Sequence, residues 1–124
     1  MQYMLLIYGD EKNWHAMPPA EITKVMQAYE SYSKELAASG ALRGGSELAP
    51  IASATTVRVR NGKAMTTDGP FAETKEQLGG YYLIDVANLD EAIKWAAKIP
   101  SAQGGSIEIR PLTENQAGAQ SDPQ

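Results

Sequence analysis

Two short segments constrain this chain more than anything else in it. Tyr3-Met4-Leu5-Leu6-Ile7-Tyr8 is apolar throughout, and Tyr81-Tyr82-Leu83-Ile84-Asp85-Val86 is apolar at every position but Asp85. A strand with one wet face alternates apolar and polar side chains, so strands that do not alternate are buried on both faces. The rest of the chain must therefore supply cover above and below a pair of central strands.

The first covering layer is helical. Pro18-Pro19 suit a helix start, where proline lacks only a donor that would go unused. Beyond them Ile22, Val25, Met26, Tyr29, Tyr32 and Leu36 recur at helical spacing and predict a core-facing stripe, which Gly40 ends. Gly9-Asp10 stops the first strand, and the residues from there to Met17 read as a loop. A second helix starts at Asn88, with Glu91 three residues on completing a capping-box-like pair, and runs to about Ile99 before Pro100 stops it. Leu89, Ala92, Ile93, Ala96 and Ala97 form its expected apolar side.

The remaining strands are shorter and more polar. Ala41-Leu42-Arg43 reads as a short strand bent by Gly44-Gly45 and followed by a loop through Pro50. From Thr55, Val57 and Val59 alternate with Arg58 and Arg60, and Asn61-Gly62 predicts a type I′ hairpin turn. That turn sets Arg60 opposite Lys63 and Val59 opposite Ala64. Gly104-Gly105 leads into the alternating strand Ile107-Glu108-Ile109-Arg110. Past Leu112 there is no apolar pattern, so residues 1–112 read as one domain and 113–124 as a mobile tail.

The order is a βαββαβ pattern with an added hairpin, an α+β fold of the ferredoxin-like type whose first and third main strands lie centrally. Two helices cover only one face of such a sheet. At about 25 cal/mol per Å2, burying about 600 Å2 of the other face is worth roughly 15 kcal/mol before association costs of comparable size. The simplest cover is a second copy related by a two-fold axis, which makes a homodimeric α+β barrel. The alternative is that the segment 44–56 and the hairpin fold back over the sheet of their own chain.

Composition removes several functions. With no cysteine there is no disulfide, zinc-thiolate site, iron–sulfur cluster or cysteine nucleophile, and one histidine is too few for an ordinary transition-metal site. A formal net charge of −4 argues against a nucleic-acid surface. The N-terminal apolar run has no basic residues before it and is too short for a signal peptide or membrane span, so the expectation is a cytoplasmic, soluble protein. No glycine spacing matches a dinucleotide or phosphate loop, and no cofactor is implied.

Candidate chemistry gathers at TDGPFAETKEQLGGYY, residues 67–82. Asp68, at a Gly-Pro turn near the end of a core strand, could serve as a general acid or base if desolvated; otherwise it is an Asx-type turn residue. Phe71 reads as a plug anchoring the loop or as a ligand contact. Glu73 and Lys75 could orient a polar ligand, and Tyr8, Tyr29 and Tyr82, with Tyr32, could present hydroxyls to a cavity between sheet and helix. Arg58 and Arg60, with Lys63, form a basic hairpin face that a carboxylate ligand or an acidic partner could neutralise, or that water simply solvates.

Together ATTVRVRNGK, TTDGPFAETKEQLGGYYLIDV, YMLLIYGDE, LDEAIKWAAKIPSA and GGSIEIRP resemble the DGPF-domain family, part of the wider YCII-related group, over residues 2–111. The resemblance implies a dimeric α+β barrel. It also implies two kinds of role: some DGPF domains are associated with extracytoplasmic-function sigma factors, and some YCII-like relatives use a His–Asp pair. The helix position of that histidine falls near Tyr29 here, whereas the only histidine is His15. The expectation is a homodimeric module for a small ligand or a regulatory partner such as a sigma factor, with proton-transfer or elimination chemistry at Asp68 as the alternative.

Overall fold

The computed structural model describes residues 1–113. The two apolar runs pair with each other. Strand β1 (Gln2–Gly9) lies antiparallel to β5 (Gln77–Asp85), and the edges are β2 (Leu42–Glu47) beside β5 and β6 (Ser106–Pro111) beside β1, giving the order β2-β5-β1-β6. All three pairings are antiparallel. The fold is α+β, with β1 and β5 central as their uninterrupted apolarity requires.

The register sorts side chains onto two faces because successive residues of a strand point opposite ways. Tyr3, Leu5 and Ile7 line up with Ile84, Tyr82 and Gly80 on one side and with Pro111, Ile109 and Ile107 on the other. This face meets the helices α2 (Pro19–Ala38) and α3 (Leu89–Ala97), and the core forms there from Tyr3, Leu5, Tyr32, Leu36, Ile84, Ala92, Ala96 and Ile99. The opposite face carries Met4 beside Leu83 and Leu6 beside Tyr81, bordered by Glu108 and Arg110 on β6. No helix covers it.

Local chemistry explains where the helices begin and end. Pro18 caps α2 with Pro19 in the first turn, and Gly40 takes φ +84°, a conformation only glycine adopts cheaply. Asn88 accepts the Glu91 backbone N–H at 3.0 Å, which starts α3. Three details differ from the sequence expectation. The stretch after Gly9 is not all loop, because Asp10 accepts the Lys12 N–H and nucleates a short helix, α1 (Glu11–His15). Strand β2 does not end at the glycines but continues through Gly44 and Gly45 to Glu47, with a register irregularity against β5 between Leu42 and Gly44. The buried side of α3 is Ala92, Ala96 and half-buried Trp95, while Leu89 and Ile93 are exposed, because small alanines allow the helix to sit close to the sheet on that flank.

Strands β3 (Thr55–Arg60) and β4 (Lys63–Asp68) form a separate two-stranded sheet with the expected register, Arg60 opposite Lys63 and Val59 opposite Ala64. Asn61 and Gly62 both have positive φ, 53° and 78°, as a type I′ turn demands. The hairpin does not fold back over the open sheet face. Val57 and Val59 remain 59% and 60% exposed, so its apolar face is unoccupied within one chain. The expected tail at 113–124 lies, beyond Thr113, outside the described residues.

Candidate functional site

A cleft of about 670 Å3 opens where α2 overhangs the end of the main sheet. Its origin is a row of register partners on the helix face: Ile107, Ile7, Gly80 and Glu47. Glycine at position 80 leaves a hole in that row. The next row is Ile109, Leu5, Tyr82 and Gly45, and again one member has no side chain, so Tyr82 leans into the free space; a Cβ on Gly45 would lie 3.1 Å from Cδ1 of its ring. The N-terminal half of α2 spans this gap without filling it. That is why its stripe is buried at Tyr32 and Leu36, yet Val25 is only half-buried and Met26 is 57% exposed at the cleft.

Two hydroxyl pairs tie the roof to the floor. Tyr29 on α2 shares a 2.5 Å hydrogen bond with Ser101, in the 3-10 turn Pro100–Ala102, and Ser33 shares one of 2.7 Å with Tyr82 on β5. Burial raises the Tyr29 pKa above its ordinary value, so its proton stays on through the physiological range. Beneath them Tyr32 donates to the Trp95 carbonyl at 2.9 Å and packs edge-on against Tyr82, centroids 5.2 Å apart. Removal of Tyr32 from water likewise raises its pKa. This aromatic layer fixes the cleft floor in place.

Helix α1 closes one end. The Glu11 backbone N–H donates to Gln77 Oε1 at 2.9 Å, and the Glu11 carboxylate accepts the Ile51 N–H at 3.0 Å, which pins the short helix to β5 and to the 3-10 turn Ile51–Ser53. Trp14 and His15 thereby join the cleft lining. A smaller hollow of about 310 Å3 adjoins the same helix and includes Lys12, Thr74 and Lys75.

Of the residues singled out in the sequence, Tyr8, Tyr29 and Tyr82 line the cleft. The Tyr8 hydroxyl is turned to Glu108, donating at 3.3 Å; partial burial, then that carboxylate, raises its pKa. Lys75 faces the smaller hollow. Asp68, Phe71 and Glu73 line neither space. Asp68 ends β4, exposed, and its carboxylate accepts no hydrogen bond from a described residue; the turn is held instead by the Gly69 N–H on the Ala54 carbonyl (2.7 Å) and by Thr56 on the Gly69 carbonyl (2.8 Å). Phe71 is 78% exposed, so within one chain it plugs nothing. Arg58 and Arg60 are exposed on one hairpin face with Lys63 and Met65, and none of the three cations has an ion-pair partner among the described residues.

Sequence reasoning passed over Ser33, Glu47 and Ser101 and assigned Trp14 and His15 no role at a site. One available signal was glycine inside a strand, which marks a place where something approaches closely or nothing is packed. Gly80, at the start of a run otherwise rich in large apolar residues, was such a mark.

The profile of the YCII-related domain family matches residues 1–116. This chain belongs to that family. The YCII-related domain is also similar to an uncharacterised protein of Rhizobium meliloti (strain 1021), 41% identical over 114 residues that span 90% of this chain and 92% of the relative. The family match runs across the strands, helices and hairpin alike. Among the described residues of this YCII-related domain, no helix is long and apolar enough to cross a membrane.

Proposed function

We propose that this YCII-related domain acts as a homodimer that binds a small organic molecule in the cleft under α2. The observation that carries the reading is the cleft itself: a volume suited to a small ligand, walled by aromatic rings and provided with a few converging hydroxyls. Pairing is supported by the second sheet face, where half-buried Met4, Leu6, Tyr81 and Leu83 sit together with no helix of the described residues over them. A second copy, sheet against sheet, completes the barrel and leaves the helix-side cleft outward. The test is to fill the cleft. Ser101→Trp should abolish binding of any ligand found by screening while leaving the circular dichroism spectrum unchanged; a ligand that binds the variant as well as the wild type would sink the cleft reading.

The hairpin favours a second reading, a regulatory partner protein such as a sigma factor. Arg58 and Arg60 project without counter-ions among the described residues, beside exposed Met65, which suits an acidic partner surface. Reversing both charges to Glu should weaken capture of a candidate sigma factor in a pull-down, and unchanged capture would remove this reading. Acid–base chemistry at Asp68 has less support, because that exposed carboxylate lies apart from the cleft and accepts no hydrogen bond from a described residue.

A further inference from the structure

The acidic residues of the cleft outnumber the basic ones. Its lining includes Asp10, Glu11 and Glu47 and neither lysine nor arginine; His15 is the one basic residue there. Lys12 and Lys75 line the neighbouring hollow, which shares Asp10, Glu11 and His15 with the cleft, so Glu47 is the acidic residue that belongs to the cleft alone. Asp10 and Glu11 each accept one backbone N–H, from Lys12 and Ile51, which orients them without cancelling their charge. Glu47 accepts none from a described residue. It stands at the edge of the floor row, next to the hole left by Gly80, and its charge reaches Tyr29, where it adds to the larger effect of burial in holding the phenol proton.

The other walls share that polarity. Trp14, Tyr29 and Tyr82 line the same space, and the faces of aromatic rings carry partial negative charge that attracts ammonium groups. The paired hydroxyls of Tyr29 with Ser101 and of Ser33 with Tyr82 retain lone pairs that can accept an N–H. Beside Glu47 a carboxylate ligand would meet a like charge, whereas an ammonium would meet that carboxylate, the rings and the acceptors together.

We infer that the cleft, on the reading that it is a ligand site, takes an organic cation: an amine or quaternary ammonium carrying an apolar body, with the charged end toward Glu47 and the apolar end between α2 and the sheet. Glu47 is the specificity-determining residue. The apolar end accounts for burial and the carboxylates for the choice of charge.

The test titrates three probes of one shape into the full chain at pH 7, following amide and indole resonances by NMR: 2-phenylethylammonium, 2-phenylethanol and phenylacetate. The cation should bind about tenfold more tightly than the alcohol, and phenylacetate most weakly. Glu47→Gln should weaken the cation about fivefold and leave the alcohol where it was, and added salt should weaken the cation alone. If the alcohol or the acid moves the Trp14 and Ser101 resonances at equal or lower concentration than the cation, the charge preference is wrong and the cleft reading stands. If none of the three moves them, the cleft is not a ligand site and the inference falls with it.

Discussion

Substituting Leu6 by glutamate tests the pairing of subunits most directly. Leu6 belongs to β1 but points away from the core, since its neighbours Leu5 and Ile7 face the helices and Leu6 aligns with Tyr81 and Glu108 on the open side. In one chain the change sets a carboxylate at a half-buried position on the face without a helix, beside one other acid, so the cost to folding is about 1 kcal/mol. In a two-fold dimer the same residue appears twice near the axis. Each leucine contributes about 1.5–3 kcal/mol when fully buried, so deletion of both side chains alone removes about 3–6 kcal/mol, which weakens dimerisation by roughly two to four orders of magnitude. The buried carboxylates add to that penalty. Sedimentation velocity at micromolar concentration should show wild type as a dimer and Leu6→Glu as a folded monomer, with matching circular dichroism. A wild type that sediments as a monomer, or a variant that remains dimeric, refutes the pairing through this face.

Further outcomes follow from the same structure. The Tyr32 hydroxyl has its pKa raised by burial, so the fold favours its neutral form; that stabilisation is complete below pH about 10 and is lost as the pH rises toward the folded value, at up to about 1.4 kcal/mol per pH unit. Urea titrations across that range should therefore show a flatter alkaline decline for Tyr32→Phe than for wild type, and equal slopes would count against a buried phenol. At neutral pH Tyr32→Phe should cost about 1 kcal/mol, a modest loss because the Trp95 carbonyl keeps the Lys98 N–H. Asn88→Ala removes the cap of α3 and should lower stability by about 1 kcal/mol in the same assay.

Much of the framework could be read from the chain. Strands apolar on both sides had to be central, and β1 and β5 are, because no edge position buries two faces. Asn61-Gly62 fixed its hairpin register since few other residues tolerate two successive positive φ angles, and Asn88 marked the start of α3 by the acceptor it carries. Short-range chemistry of this kind is complete within a few residues. The α1 helix escaped notice because five residues hold too few apolar positions to show a period, and the stripe on α3 was misplaced because periodicity does not say which of two adjacent sides meets the sheet.

The cleft is another matter. It exists because Gly80 and Gly45 stand in adjacent rows of neighbouring strands, and because Tyr29 finds Ser101 across 72 positions and Ser33 finds Tyr82 across 49. An empty volume has no residue pattern of its own; it appears only when register brings missing side chains together under a helix. Local propensities therefore told which segments form and how they start and stop, whereas pairing at long range set where the packing fails and which hydroxyls and carboxylates surround the gap.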